Sequence, residues 1–533
     1  MTTLTGTWAL VRLSIRRDRV RLIVWIAGFV VVTAVSAASL RDLYPTQAAI
    51  DAYVHLFGGN PALVAFGGPG YGFDRPNIGV VLVNETQLWG AIAIALMNVF
   101  LVNRSTRAEE DAERTDLIRS LPVGRHAPAV AATLVVTAAN LLVGTLCATA
   151  FVSLGYATVG SIALAGSFVA VGMVFTGLTV VTAEVAGSGR ATIGIGSVGV
   201  IVAFVLRAVG DIGDNALRWL SPIGWAQGVR PFAGEHWWTL ALCAVVAIVL
   251  VATSFQLSDR RDLGAGLIHT RPGHRVGSRS LSTSLGLAWR LQRGATLGWL
   301  IAMFLTGAVF GSIATDVDTM ISQNPQLADV FAQLHSGSVT DSFFATTMMM
   351  LGLLASGYSI SAMLVPRAEE HAGRAENLLA APLSRRRWLT GHLLVAVFGS
   401  IAVVAAGGLG VAVAYAIAAD DAGEIPRLVG ASLVTVPAVL VLLGGAAALY
   451  GLAPRAALVA WAPLVAAALV GFLGELLRIP EWARRLSPFE RLPRAPAEAL
   501  SLLPIGIVTT LAVVLVVAGF VGLVHRDIST TSS

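Results

Sequence analysis

Lysine is missing from this sequence: all 36 side chains counted as lysine or arginine are arginines. A P-loop uses a lysine to neutralise the phosphates cradled by its glycine-rich turn, in the pattern G-x-x-x-x-G-K-[ST]. No such nucleotide site can be built from these residues. Cysteine is scarce too, and Cys147 and Cys243 both fall inside apolar runs, which argues against a disulfide framework or a cysteine metal site. Serine, histidine and aspartate are scattered, and His236 in Gly234-Glu-His-Trp-Trp238 lacks the H-E-x-x-H spacing of a zinc protease. No catalytic, cofactor-binding or metal-ligating residue is assigned, and the chain reads as a non-enzyme. Charge is also thin: 13% of residues are charged and 56% are apolar, against about 25% and 45–50% in soluble domains. The bilayer is the main solvent of this chain.

What is present is a set of long apolar segments. A membrane-crossing helix needs roughly 20 mostly apolar residues, and six such segments stand in each half. They lie near 22–40, 78–103, 127–154, 160–183, 191–209 and 237–256, then near 296–315, 342–365, 389–418, 427–451, 455–475 and 499–524. Arg12, Arg16, Arg17, Arg19 and Arg21 precede the first, which is long enough to span and has no convincing small-residue cleavage site, so it reads as an anchor rather than a cleaved leader. By the positive-inside rule both termini are cytoplasmic, and the arginine clusters at 104–125, Arg190, 260–275, 367–387, Arg455 and Arg526 then share that side. The loops 41–77, 210–236, 316–341 and 476–498 face outside, some as amphipathic surface helices. The stretches 3–20 and 281–295 read either as flat interfacial helices or as plain positive flanks.

The halves are copies. Arg107-Ala-Glu-Glu-Asp-Ala-Glu-Arg114 returns as Arg367-Ala-Glu-Glu-His-Ala-Gly-Arg374. The register holds from Arg16, Arg19 and Trp25 against Arg290, Arg293 and Trp299 to Arg261-Asp-Leu263 against Arg526-Asp-Ile528. Asn60-Pro61 matches Asn324-Pro325, Pro122 matches Pro382, and Ser221-Pro222 matches Ser487-Pro488. A period of half the chain means duplication. The expected fold is an all-α integral membrane protein of twelve transmembrane helices in two repeated six-helix halves, 1–256 and 287–533, joined by a cytoplasmic linker over 257–286.

Each charged island lies between the second and third spans of its half. Arg107 with Asp111, Glu110 with Arg114 and Glu370 with Arg374 stand at i, i+4, where side chains meet on one helix face. The helix should stop near Leu121 and Ala381, ahead of Pro122 and Pro382. A solvated helix laced with weak ion pairs, each contributing about 0.3–0.5 kcal/mol, would explain one island. Retention in both halves, while the apolar sequence around them drifted, favours a shared docking role.

Together with this layout, Leu220-Ser-Pro-Ile-Gly-Trp225, Val229-Arg-Pro-Phe232 and Arg260-Arg-Asp-Leu-Gly-Ala-Gly-Leu267 resemble the fused permease subunits of bacterial ATP-binding-cassette exporters, above all the antibiotic or tetronasin exporter permeases of actinobacteria. The resemblance implies that the islands are coupling helices seated on a cytoplasmic ATPase, with Arg107, Glu109, Glu110 and Arg114, and Arg367, Glu369, Glu370 and Arg374, at the contact. It also implies two copies of that ATPase, with ATP and Mg2+ held on them and none on this chain. Further implications are export of a hydrophobic drug-like or antibiotic molecule, a plasma (inner) membrane location in contact with lipid, and no nucleic-acid partner.

Ionisable residues inside spans are costly and mark pathways by default. Glu85, in Asn84-Glu-Thr-Gln87, is the main pathway candidate, with Gln87 and with Asn98 deeper on the same span. The matching region holds Thr346 and Thr347 and no acid, so a polar lining would be asymmetric; a structural hydrogen bond is the competing account of Glu85. Glu475 and Arg207 are expected near span ends, within reach of water. Phe343-Phe344 and Met348-Met-Met350 read as helix packing before cavity lining. Two other classes stay open. One is an ion-coupled secondary transporter, which usually sets carboxylates near the midplane; the other is a membrane scaffold or sensor.

Overall fold

The computed structural model describes residues 3–57, 64, 67–112, 114–115, 120–261, 266–267, 279–322, 339–371, 373–380, 383–473 and 480–526. Among them twelve helices are long and apolar enough to cross a membrane, and no strand is present. The chain divides into two compact units, Met1–Gly273 and His274–Ser533. Glu475, both Asn-Pro pairs, Glu113, Ala381, Pro382 and most of 262–278 lie outside the described residues.

In the first unit the spans are Thr7–Leu43, Ile78–Asp111, Ala127–Ser153, Thr158–Val185, Gly189–Ile212 and Trp238–Asp259. Side-chain caps set several of the starts. Asn77 accepts from the backbone N–H groups of Gly79 and Val80, and Ser188 accepts from Ala191, so donors that lack an intrahelical partner are satisfied. The second and fourth spans are mostly buried, with Leu88, Ile94, Phe168 and Phe175 at the centre of the core. The first and sixth leave large apolar side chains such as Val24, Val32 and Ile248 exposed. On a membrane protein such a face meets lipid or another apolar surface.

The second unit repeats the order with Ser284–Ala314, Thr340–His371, Arg385–Ala419, Glu424–Leu452, Pro454–Gly471 and Leu502–His525. Its seventh and ninth spans touch backbone to backbone. A Cβ at Gly307 would lie 2.0 Å from the Gly407 carbonyl oxygen, the close approach that small residues permit between membrane helices.

Three expectations change in detail. The stretches 3–20 and 281–295 are not separate flat helices, because from Thr7 and from Ser284 the helix runs unbroken through the span, for 37 and 39 residues. No proline interrupts either run. The tenth span is broken between Leu433 and Val436, where Pro437 cannot donate to, and clashes with, the carbonyl four residues back. The eleventh opens as a 3-10 turn, Pro454–Ala460, before Trp461–Leu473.

Candidate functional site

In the first unit the second span ends in two pieces: the long helix Ile78–Ser105 and, past Thr106, a single helical turn, Arg107–Asp111. Glu109 is only 6% exposed, yet cations surround it. Arg114 grips it at two points, Nε to Oε2 at 2.9 Å and Nη2 to Oε1 at 3.0 Å. Arg17 of the first span reaches Oε2 at 2.9 Å, and Arg104 stands 3.9 Å from Oε1. Asp18, also buried, gathers Arg17 at 2.8 Å, Arg21 at 3.6 Å and Arg104 at 3.7 Å. Burying a carboxylate is tolerated when it is paired and hydrogen-bonded. These arginines are therefore what allows the island to sit against the spans.

Glu110 points the other way. Arg107 donates to it at 2.9 Å and Arg261, just beyond the sixth span, at 2.5 Å; Arg261 also meets Glu184 of the fourth span at 2.9 Å. Asp111 lies 3.5 Å from Arg107 and accepts the backbone N–H of Gly189, at the start of the fifth span, at 2.6 Å. One turn of helix thus ties together the first, second, fourth and fifth spans and the chain beyond the sixth.

The second island keeps the plan. Val365–His371 and Arg374–Leu379 are separated at Gly373, whose φ of 68° lies where L side chains are strained. Glu369, 5% exposed, takes two 2.8 Å hydrogen bonds from Arg374. The two-point bond holds the Arg374 guanidinium above its ordinary pKa. Glu370 accepts from Arg526 at 2.6 and 2.9 Å and from the Tyr450 hydroxyl at 2.9 Å. Arg385 donates to the Arg526 carbonyl at 2.8 Å, as Arg125 does to that of Arg261 at 3.1 Å. Arg367 is half-buried.

Of the three i, i+4 pairs expected, only that of Arg107 with Asp111 takes this form. Arg114 and Arg374 turn to Glu109 and Glu369, five residues back, because the helix is interrupted between each pair and helical spacing no longer applies. The exposed charged or titratable side chains at the islands include Asp111 and Arg114 in the first, and His371, Arg374 and Glu376 in the second.

The candidate pathway residues do not converge. Glu85 lines an open groove of about 620 Å³ between the first and second spans, with Trp25, Phe29, Val32 and Trp89. Its Oε1 accepts from the Tyr53 hydroxyl at 2.7 Å, and that oxygen accepts from Asn84 Nδ2 at 2.7 Å. Burial first, and then the Glu85 charge, raise the Tyr53 and Tyr44 phenols above their usual range. Gln87 instead donates to Ser167 at 3.1 Å and to the Ala226 carbonyl at 3.0 Å. Asn98 exchanges hydrogen bonds of 2.8 and 3.0 Å with Asn140 and accepts from Thr176 at 2.6 Å. Both are buried clamps between spans. Thr347 is buried, while Thr346 lines a separate cavity of about 180 Å³ in the second unit with Met348, Met349 and Glu490. Phe344 and Met348 belong to the core.

Residues 281–523 match the family model of the multidrug efflux system permease Rv1217c, C-terminal domain. Over 527 residues, 98% of this chain and 95% of the relative, the sequence is 35% identical to the multidrug efflux system permease protein Rv1217c of Mycobacterium tuberculosis. This chain belongs to the multidrug efflux permease family. The match runs through both halves, and with twelve spans the permease is a multi-pass membrane protein. The exporter-permease resemblance read from its motifs is borne out.

Sequence reasoning missed several residues of this permease. Asp18, Arg17 and Arg104 were hidden in ordinary positive flanks, although an acid at Asp18 among five nearby arginines was a signal. Arg261 and Arg526 were visible as a repeat pair, but no local rule says that each folds back onto an island. Arg207, expected to reach water, is instead fully buried, 3.4 Å from Asp211 and 3.3 Å from the Val64 carbonyl. An acid one turn along the helix gave it a partner inside.

Proposed function

We propose that this permease is the membrane subunit of an ATP-driven exporter of hydrophobic drugs or antibiotics, powered by two copies of a separate cytoplasmic ABC ATPase. ATP and Mg2+ reside on those ATPases, and the permease itself hydrolyses nothing, in keeping with a sequence in which no lysine is available for a P-loop. The islands face the cytoplasm, as do both termini, and the protein sits in the plasma membrane. The relative's name as a multidrug efflux permease supports the transport class.

The observation that carries the coupling role is the twin wiring of Glu109–Arg114 with Glu110–Arg261 and of Glu369–Arg374 with Glu370–Arg526. A helix that merely needed to be soluble would not bury its carboxylates against the ends of other spans in both copies. Division of labour follows from exposure. Glu109, Glu110, Arg107, Glu369 and Glu370 set the shape of each island and pass its displacement to the spans; Arg114 and Arg374, about half exposed, meet the ATPase together with Asp111 and His371. Glu85 and its groove stand on the drug's route.

The test is co-reconstitution with the candidate ATPase in inside-out proteoliposomes. ATP-dependent accumulation of a fluorescent hydrophobic drug, with two ATPases per permease by native mass, is the expected result. Accumulation that needs no ATPase and collapses with the proton gradient would overturn the reading.

A further inference from the structure

We infer that the groove between the first and second spans of the first half is a binding site for lipophilic monocations, with Glu85 as counter-charge and Trp25, Phe29 and Trp89 as aromatic wall. This deepens the export reading and rests on it for the fate of the bound cation.

Size, wall and charge point to the same occupant. At about 620 Å³ the groove falls in the range of drug-sized sites, which are mostly apolar with a few placed polar groups. Among the described residues lining it, Glu85 is the one acid and no base is present. Trp89 is 53% exposed and Val32 65%, while Phe29 is 8% exposed and backs the groove from the core, so Trp89 is the accessible face of the wall. A carboxylate within a span and beside an apolar face is costly unless it serves a partner. Lipid acyl chains would fill such a groove without it. Indole and phenyl faces attract organic cations through their quadrupoles, and they stand on the same groove as the carboxylate.

The carboxylate is also held. Tyr53, on the helix Gln47–Phe57, donates to Oε1 at 2.7 Å and is itself fixed by Asn84 at 2.7 Å. That relay orients Glu85 without neutralising it, because a phenol brings no formal charge. The second half offers no equivalent. At the spacing of the two islands Ala345 stands where Glu85 would be, so one cation site per chain is expected.

The experiment is equilibrium binding of tritiated tetraphenylphosphonium to the full permease in lipid nanodiscs, with empty nanodiscs as background and tetraphenylborate as the anion of the same shape. Wild type should prefer the cation. Glu85→Gln, which can still accept from Tyr53, should lose about tenfold in affinity and abolish the preference; Glu85→Asp should keep most of both, and Trp89→Ala, at an exposed position, should weaken both ions together. Equal binding of the two ions by wild type, or unchanged cation binding in Glu85→Gln of wild-type thermal stability, would overturn the inference. If Glu85→Gln does not fold, the comparison of ions on wild type and Glu85→Asp decides it. ATP-driven efflux of a neutral dye, measured in parallel, separates the two claims. Efflux without cation preference sinks the site alone, and Glu85-dependent binding without ATP-driven movement sinks the export reading alone.

Discussion

The first island is anchored to its neighbouring spans by more charge than the second. Around Glu109 stand Arg17, Arg104 and Arg114, and beside it Asp18 holds Arg17, Arg21 and Arg104. In the copy, the positions matching Arg17, Asp18 and Arg104 are Leu291, Gln292 and Leu364. Gln292 pairs there with His392 at 3.2 Å. What duplication and drift left untouched is the two-point grip of Arg114 or Arg374 on the buried glutamate, and the tie of Glu110 or Glu370 to the chain beyond the last span. Those two links are therefore what an island needs. Among the described residues the arginine web onto the first span is particular to the first half, and that island is expected to be the stiffer of the two.

The largest contrast is expected at the long-range tie. Arg261→Met removes a 5%-exposed guanidinium shared by Glu110 and Glu184 and should cost about 3–4 kcal/mol, near the figure for breaking a buried ion pair. Arg526→Met, with Tyr450 still donating to Glu370, should cost about 2 kcal/mol. Denaturation of both variants in mixed micelles reads the difference, and equal losses would break the comparison. Next comes the buried glutamate. Glu109→Gln should lose about 2 kcal/mol and Glu369→Gln about 1 kcal/mol, both moderated because their arginines reach water; the same titration checks the order. A smaller effect is expected of Asp18→Gln, which writes the second half's residue into the first and should cost about 1 kcal/mol while making the loss at Glu109→Gln no longer additive in a double-mutant cycle. Smallest of all, Leu364→Arg, which gives the second half the counterpart of Arg104, should gain at most about 0.5 kcal/mol, visible as a slightly raised thermal transition.

The spans were legible because about twenty apolar residues in a row have one solution in a bilayer: eight of the twelve expected segments fall within a few residues of helices that run unbroken, and two more lie inside the longer helices Thr7–Leu43 and Ser284–Ser322. The others fail where local chemistry intervenes. Pro437 splits the tenth span, and Pro454 opens the eleventh as a tighter turn. Continuity of Thr7–Leu43 was hard to read because its arginines are good helix formers and also good interfacial anchors, so composition does not separate the two. At the islands the residues were legible and their partners were not. The i, i+4 rule assumes an unbroken helix, and the break at Gly373 redirects Arg374 to Glu369. Gln87 and Asn98 illustrate a further limit: a polar residue in a span marks either a pathway or a clamp, and only the position of Ser167, Asn140 and Thr176 on neighbouring spans separates them.

The most direct measurement is the number of ATPase subunits held by the reconstituted permease, with its ATP-driven drug accumulation, in wild type and in Arg114→Glu plus Arg374→Glu. The account predicts two ATPases and ATP-dependent accumulation in wild type and loss of both in the double variant, which also gives up the grips on Glu109 and Glu369; Glu109→Gln plus Glu369→Gln, which weakens the same grips and keeps the exposed arginines, should still bind two ATPases. Wild-type permease that accumulates drug with no ATPase bound, or a double variant that binds and transports as wild type does, would contradict it.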